Sequence, residues 1–581
     1  MNAAPEAKAP SINGRESHLA GLPKHALRRE RILVTVVFAL LSAGLLICSL
    51  PAPDIGWLAW FGLVPLLIAC DGIAPKHAAA IGFVSGFVSA FGIYNWLFQL
   101  PAFGWRHAFV LAAYVSLYPA LFCAALAVFN RWRAPLIFSA PTLWVAVEYL
   151  RANAGFLALP WGTLAQAQHR NLAILQFASI AGEPGITFLV ALGNAAIAET
   201  ILNVLSRSSA APLWKREGQR RIFGTVDRQT ILVAWRRVFI VMVIIALAHG
   251  WGAYVLYGDR PETIIRVSAI QPNIQIAERE SKQGTALSFK RLEQLTQSAA
   301  GSKPGLIVWP ESAVAGNLLS NQGMVATLED LTRAIGVPII VGTAEAQKFS
   351  TGERRVTIRS RLFNAAYLLQ PDAPLSQPYR KRVLLPFGEY LPYEKIIPWP
   401  EWLAPRVAEM TAGENAHLFQ LPNGVRVGAL ICWENLFAPL ARESVASGAQ
   451  VLVQLTNDIW FGKTAEPFQH NLASVLRAIE NRVPLVIASN AGPSQIIDAY
   501  GRVVAAAPSV FAPEIVQADI AVAARETVFR RFGDGFLLLL MVAFVFRMRP
   551  RGFFGALCQF GHRYCSRPKF LRQDNGQEAH R

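Results

Sequence analysis

Cys432 is the only cysteine between Gly258 and Gly533. It closes the apolar run Val427-Gly428-Ala429-Leu430-Ile431 and is followed by Trp433-Glu434-Asn435. A thiol just past a buried strand, at the expected start of a helix, is held rigidly beside backbone N–H groups. Those groups and the helix dipole would favour the thiolate, the reactive form. Glu311 follows Leu306-Ile307-Val308-Trp309-Pro310. A carboxylate at the end of an apolar strand loses hydration, which raises its pKa toward that of a working general base. Lys381 stands in Tyr379-Arg380-Lys381-Arg382-Val383, where a fixed ammonium can stabilise a developing oxyanion. Glu389 and Glu434 are further carboxylates able to orient the lysine or its neighbours. Together these residues make a nucleophile set. The carboxylate takes the thiol proton, the thiolate attacks a carbonyl, and the ammonium holds the tetrahedral oxyanion. A thiol–imidazole pair is less attractive, because this stretch has only His417 and His470, and His470 reads as a structural or supporting residue.

Taken singly, each candidate has a plain alternative: a small buried hydrophobe, a helix cap, a solvated basic run. Their placement on successive elements argues otherwise. Short β-rich runs recur at Ile264–Ile270, Leu306–Trp309, Pro338–Gly342, Leu362–Leu369, Val425–Ile431, Val451–Leu455 and Leu485–Ser489. Helical patterns fall near 285–300, 323–335, 436–447 and 467–481. Strands alternating with helices predict a layered α/β unit over 258–533. Polar residues sit just past several strand ends, at Gln271, Glu311, Thr343, Cys432, Asp458 and Asn490, where α/β folds collect their chemistry.

The 581-residue chain is 53% hydrophobic and only 16% charged, with a mean hydropathy of +0.33. That composition marks a membrane protein. A span needs about 20 apolar residues. Candidate spans lie near 32–50, 55–70, 78–98, 107–130, 135–150, 184–205, 238–257 and, more briefly, 535–548; Pro141 and Glu148 interrupt the fifth. The run 172–182 reads as an interfacial piece. The net charge of +17 raises nucleic acid as a partner, but position excludes it. Basic residues cluster at Lys24, Arg28, Arg29 and Arg31, at Arg131 and Arg133, from Lys215 to Arg237, and at Arg547, Arg549 and Arg551. Loops on the other side are nearly free of them, which is the positive-inside pattern. Both termini are therefore expected in the cytoplasm and 258–533 outside it. The expected division is a basic tail (1–31), a seven-helix bundle (32–257), an outer catalytic domain (258–533), an eighth helix (534–549) and a second basic tail (550–581). No cleavable signal peptide, disulfide framework or paired metal-ligand spacing appears.

Trp309-Pro310-Glu311, Lys381 ahead of Pro386-Phe387-Gly388-Glu389-Tyr390, and Cys432-Trp433-Glu434 resemble the Glu-Lys-Cys triad of the nitrilase superfamily. Together with Thr456-Asn457-Asp458-Ile459-Trp460-Phe461-Gly462, and with Arg151 and Leu159-Pro160-Trp161-Gly162 after the fifth span, they resemble more narrowly the apolipoprotein N-acyltransferase family of the bacterial inner membrane. The resemblance covers roughly residues 32–548. It implies a nitrilase-like four-layer αββα sandwich inserted between the seventh and eighth helices of a membrane α-helical bundle, with the sandwich in the periplasm. It implies Glu311 as base, Lys381 as oxyanion stabiliser and Cys432 as nucleophile, no metal and no cofactor. Glu389, Trp433, Glu434, Arg151 and Trp161 would support them or bind substrate. The implied reaction moves an acyl chain from a phospholipid, with phosphatidylethanolamine as the expected donor, to the α-amine of a diacylglyceryl-cysteine at the N-terminus of an apolipoprotein, through a cysteine thioester. One departure is visible: family members often carry a tryptophan shortly after the Gln-x-Asn-Ile segment, and Gln271-Pro272-Asn273-Ile274 is followed by Gln275-Ile276-Ala277-Glu278 without one.

Two other readings use the same sequence. A membrane-tethered amidase would employ the same three residues with water as second acceptor. A transporter or receptor would use the outer region for ligand binding, but Glu148, Glu183 and Glu199 make no chain of buried charges across the bundle.

Overall fold

The computed structural model describes residues 24–548 apart from 133, 206–227, 259–262, 351–357, 404–408 and 523–524. Arg133, most of the basic stretch from Lys215, Arg549, Arg551, Cys558 and Cys565 lie outside the described residues.

Long apolar runs dictate the first half. Among the described residues, four helices are long and apolar enough to cross a membrane: Pro75–Ile93, Trp105–Arg131, Ala178–Val204 and Trp235–Tyr257. Ile32–Cys48, Gly56–Ala69 and Gly535–Arg547 are shorter apolar helical stretches. The run expected at 55–70 is broken into a 3-10 turn, Gly56–Leu58, and short helices Ala59–Gly62 and Val64–Ala69, with Pro65 opening the last. The run expected at 135–150 forms the helix Leu136–Ala152 despite Pro141. Large apolar side chains such as Phe239, Leu247, Leu538 and Leu539 are exposed. Such a surface suits lipid, since in a bilayer the backbone is satisfied inside each helix and the side chains need no burial. The run expected as an interfacial piece at 172–182 packs into the protein, with Ile174, Leu175 and Ala178 buried. Leu172–Leu175 is a short helix, but Ala178 already begins the long helix Ala178–Leu205. That helix is interrupted at Gly182, where φ is +64. A Cβ there would strike the ring of Phe529, so glycine alone fits both the torsion and the space.

The second half is a two-sheet sandwich. Strands β1 (Ile264–Gln271), β2 (Leu306–Val308), β3 (Val314–Asn317), β4 (Ile339–Ser350), β5 (Ile358–Leu369) and β6 (Tyr379–Arg380) join β13 (Glu514–Ala521) in one sheet, ordered β13-β1-β2-β4-β5-β6 with β3 against β4. Strands β7 (Leu418–Gln420), β8 (Arg426–Ile431), β9 (Val451–Thr456), β10 (Leu485–Ser489), β11 (Gln495–Ile497) and β12 (Val503–Ala506) form the other, ordered β12-β11-β10-β9-β8-β7. The central strands β1, β2 and β4, and β8, β9 and β10, run parallel. Their near-continuous apolar runs are what parallel strands covered on both faces require. Val267, Val308 and Ala366 of one sheet meet Val427, Val453 and Val486 of the other. The outer face of the first sheet takes the helices Lys282–Ala300 and Gln322–Ile335 through Leu292, Leu328 and Leu331. The outer face of the second takes Ala438–Ala446 and Glu466–Asn481. The order of layers is therefore α, β, β, α.

The helix Glu466–Asn481 is buried along nearly its whole length. Its Leu472, Val475, Leu476 and Ile479 share one apolar core with Ile174, Leu175 and Ala178 of the membrane bundle. It is the element on which the sandwich sits.

Candidate active site

Glu311 lies three residues beyond β2, Lys381 one beyond β6 and Cys432 one beyond β8. The two sheets bring these ends together. Lys381 Nζ is 4.0 Å from Glu311 Oε1 and 2.9 Å from the Glu389 carboxylate. The lysine side chain is 1% exposed, so its charge survives only because it is paired. Desolvation opposes the ammonium, but the negative charge of an ionised Cys432, of Glu389 and of Glu311 outweighs it and raises its pKa. Burial raises Glu311 above the ordinary carboxylate value, with Lys381 pulling it down and Glu389 pushing it up. The direction matches the sequence expectation for a desolvated carboxylate.

Cys432 departs from expectation. It opens a five-residue 3-10 turn, Cys432–Leu436, and not an α-helix, so little dipole acts on it. Desolvation pushes its thiol well above the usual range, Lys381 pulls it back, and Glu311 and Glu389 add to the rise. The shift runs opposite to the one a helix N-terminus would give. Its φ of +55 places a non-glycine residue in the left-handed region, a conformation that needs support from its surroundings.

Glu434 supplies that support. One oxygen accepts the backbone N–H of Arg382 and of Val383 at 2.6 and 3.0 Å. The other accepts Ile431 N–H and the Tyr379 hydroxyl, each at 2.8 Å. A single buried carboxylate thus ties the segment after Lys381 to the residue before Cys432. Trp433 Nε1 adds a bond to Val383 O at 2.7 Å. Of the two carboxylates considered for orienting the lysine, Glu389 touches its ammonium and Glu434 holds the backbone that carries it.

Arg151 and Trp161 lie on the membrane side. Arg151 Nη2 donates to Trp161 O at 2.9 Å. Trp161 donates to Gln469 Oε1 at 2.9 Å and stacks on His470 at 5.5 Å. It shares an apolar cluster with Trp433 and Cys432, whereas Arg151 is one residue further away. His417 packs on Phe419, away from this cluster. His470 Nδ1 pairs with Asp458 at 3.0 Å, in the supporting position expected of it. Asp458, Glu466 and His470 are the one group among the described residues with donor atoms close enough to hold a metal ion. The 3.0 Å contact is a complete hydrogen bond as it stands, so the cluster reads as a buried polar network.

Asn364 was not singled out by the sequence. Its Nδ2 donates to Glu311 Oε1 at 2.6 Å and to Glu389 Oε1 at 3.2 Å, bridging the two carboxylates. Gln454 Nε2 reaches Cys432 O at 3.3 Å. Arg279 follows the segment that lacks the tryptophan and donates to Ser312 O at 2.7 Å. The only signal for Asn364 and Gln454 is a polar residue in an otherwise apolar strand.

Residues 266–528 match the carbon-nitrogen hydrolase family. Residues 42–196 match the apolipoprotein N-acyltransferase N-terminal domain. An apolipoprotein N-acyltransferase of Geobacter metallireducens is 31% identical over 513 residues, covering 86% of this chain and 92% of its own. The chain belongs to the apolipoprotein N-acyltransferase family. The relative of that name in Chlorobaculum tepidum is 26% identical, covering 87% of this chain and 94% of its own, and apolipoprotein N-acyltransferase 1 of Treponema denticola is 25% identical, covering 90% and 97%. In this acyltransferase the alignment with such relatives runs through both the membrane bundle and the sandwich. The nucleic-acid and transporter readings end there.

Proposed function

We propose that this enzyme N-acylates lipoproteins through Cys432, with Glu311 as base and Lys381 as oxyanion stabiliser. The observation that carries the reading is the buried Lys381 ammonium held between Glu311 and Glu389 beside the Cys432 thiol. The thiol and the base are both desolvated, so the proton leaves sulfur for Glu311 as attack occurs. Sulfur adds to the ester carbonyl of a phospholipid, phosphatidylethanolamine being the expected donor. Negative charge grows on the carbonyl oxygen beside Lys381. The C–O bond breaks, Glu311 returns its proton to the leaving alkoxide, and a lysophospholipid departs from a thioester. The α-amine of a diacylglyceryl-cysteine then adds to the thioester and gives its proton to Glu311. Sulfur leaves and is reprotonated, and the product is an amide.

The site stands where the sandwich meets a membrane bundle, which supports lipids as both substrates. The topology that fits is seven helices before the sandwich and one after, in the inner membrane, with the sandwich periplasmic and both termini cytoplasmic. The loop from Pro386 to Leu403 makes a lid against water. Tyr393 and Trp399 lie against Phe156 of the bundle, and Trp402 lies 6.0 Å from His107.

The test is intact-mass analysis of the full-length protein incubated with phosphatidylethanolamine vesicles. One acyl mass is expected on the wild type and none on Cys432→Ala. An amidase would instead release ammonia from simple amides without lipid.

A further inference from the structure

Arg477 is 0% exposed, and a guanidinium so placed needs charged and hydrogen-bonding partners. Its partners come from three places. Nη1 donates to Asn435 O at 3.3 Å and Leu436 O at 3.1 Å, the last carbonyls of the turn that Cys432 opens. Nη2 donates to Glu183 Oε2 at 2.9 Å, across to the membrane bundle. Nη2 also donates to Glu480 Oε1 at 3.0 Å, three residues along its own helix. The same Glu480 accepts the backbone N–H of Glu183 at 2.9 Å. That N–H is free to do so because the helix Ala178–Leu205 is interrupted at Gly182. A lysine has one point of charge and could not address these three directions at once; the planar fork of arginine can.

From this juxtaposition we infer that Arg477 is a positioning residue that couples the seating of the sandwich on the membrane bundle to the placement of Cys432. The membrane helix, broken at Gly182, offers Glu183. Arg477 binds it and, on the same guanidinium, holds the end of the nucleophile's turn. Glu434 fixes the start of that turn and Arg477 its finish. If the bundle shifts against the sandwich, the turn loses one of its two supports, and a displacement of about 1 Å at a nucleophile costs about a hundredfold in rate. The inference rests on Cys432 being the nucleophile.

The test uses full-length protein in phospholipid vesicles. Alkylation of Cys432 by iodoacetamide is followed by peptide mass spectrometry, which separates it from the other cysteines, and kcat and KM are measured for acyl transfer. Arg477→Lys keeps a positive charge near Glu183 and Glu480 but cannot also hold the two carbonyls. It is expected to slow both alkylation and kcat about tenfold or more, with KM changed less than about twofold. Glu183→Gln leaves Arg477 on the turn and removes its charged anchor in the bundle; a fall of about threefold or more in the same two rates is expected. Wild-type alkylation and kcat in a folded Arg477→Lys would overturn the inference. If Arg477→Lys does not fold, Glu183→Gln decides, and wild-type rates there overturn it equally. Transfer surviving in Cys432→Ala would remove the proposed mechanism while leaving the alkylation comparison readable.

Discussion

At the scale of residues, the site is two carboxylates, one ammonium and one thiol sharing a desolvated space. Burial raises Glu311 and Cys432, while neighbouring negative charge keeps Lys381 protonated. As the proposed base, Glu311 must be ionised to accept a proton, so the proposed acyl-enzyme should form more slowly as pH drops through its raised pKa. The acid limb of the rate profile is therefore expected above the ordinary glutamate value of about 4.3. Glu311→Gln should abolish that limb and lower the rate by about 10²–10⁴, measured by stopped incubations and intact mass. A profile with the same acid limb in Glu311→Gln would assign the proton to another group. That Glu311, Lys381 and Cys432 belong together was legible because Glu311 and Cys432 each end an apolar run and Lys381 stands just ahead of Pro386-Phe387-Gly388-Glu389-Tyr390. Asn364 was not, because a neutral amide inside Leu362–Leu369 has no signature until the strands pair and aim it at Glu311. The upward shift of the Cys432 thiol was not legible for a related reason: sequence locates a turn but not its length, and a single 3-10 turn offers little dipole to offset desolvation.

At the scale of elements, short turns past strand ends position the chemistry and buried polar groups hold the turns. Glu434 accepts four hydrogen bonds. Glu434→Gln would turn an amide NH₂ toward N–H donors, leaving at least one buried donor unpaired at about 1–3 kcal/mol. Thermal unfolding of the detergent-solubilised variant should move down by several degrees, and the Cys432 adduct should form more slowly; an unchanged melting curve would show that the clamp is dispensable. The loop bearing Trp399 and Trp402 gives a separate prediction. With both replaced by alanine, turnover on vesicles should fall and more thioester should be lost as free fatty acid; unchanged turnover removes the lid. The seven inner strands were readable as apolar runs, and β9 and β10 fall almost where expected. β3, β6, β7, β11, β12 and β13 were not, since they are short or lie at sheet edges, where β12 is largely exposed and β13 is mostly half-buried. Pairing of β13 with β1 joins the two ends of the domain, and no local pattern announces it.

At the scale of the whole molecule, one helix, Glu466–Asn481, belongs to both halves, so the catalytic sandwich and the bundle share a core. The membrane character was legible from composition alone, but the broken stretch at Gly56–Ala69 shows that an apolar run need not be one helix. The proposed topology puts the sandwich outside the cytoplasm. Lys303 lies in an exposed turn of that sandwich. Lys303→Cys should react with a membrane-impermeant maleimide on intact spheroplasts; labelling only after lysis would reverse the topology. The central claim is that the acyl chain passes through Cys432. The direct measurement is a single-turnover chase: acyl-enzyme made with labelled phosphatidylethanolamine is freed of donor and mixed with a diacylglyceryl-cysteine peptide. The account predicts that label leaves Cys432 and appears as an amide on the peptide at the same rate. Label that never resides on Cys432, or that reaches the peptide only while phospholipid is present, would contradict it.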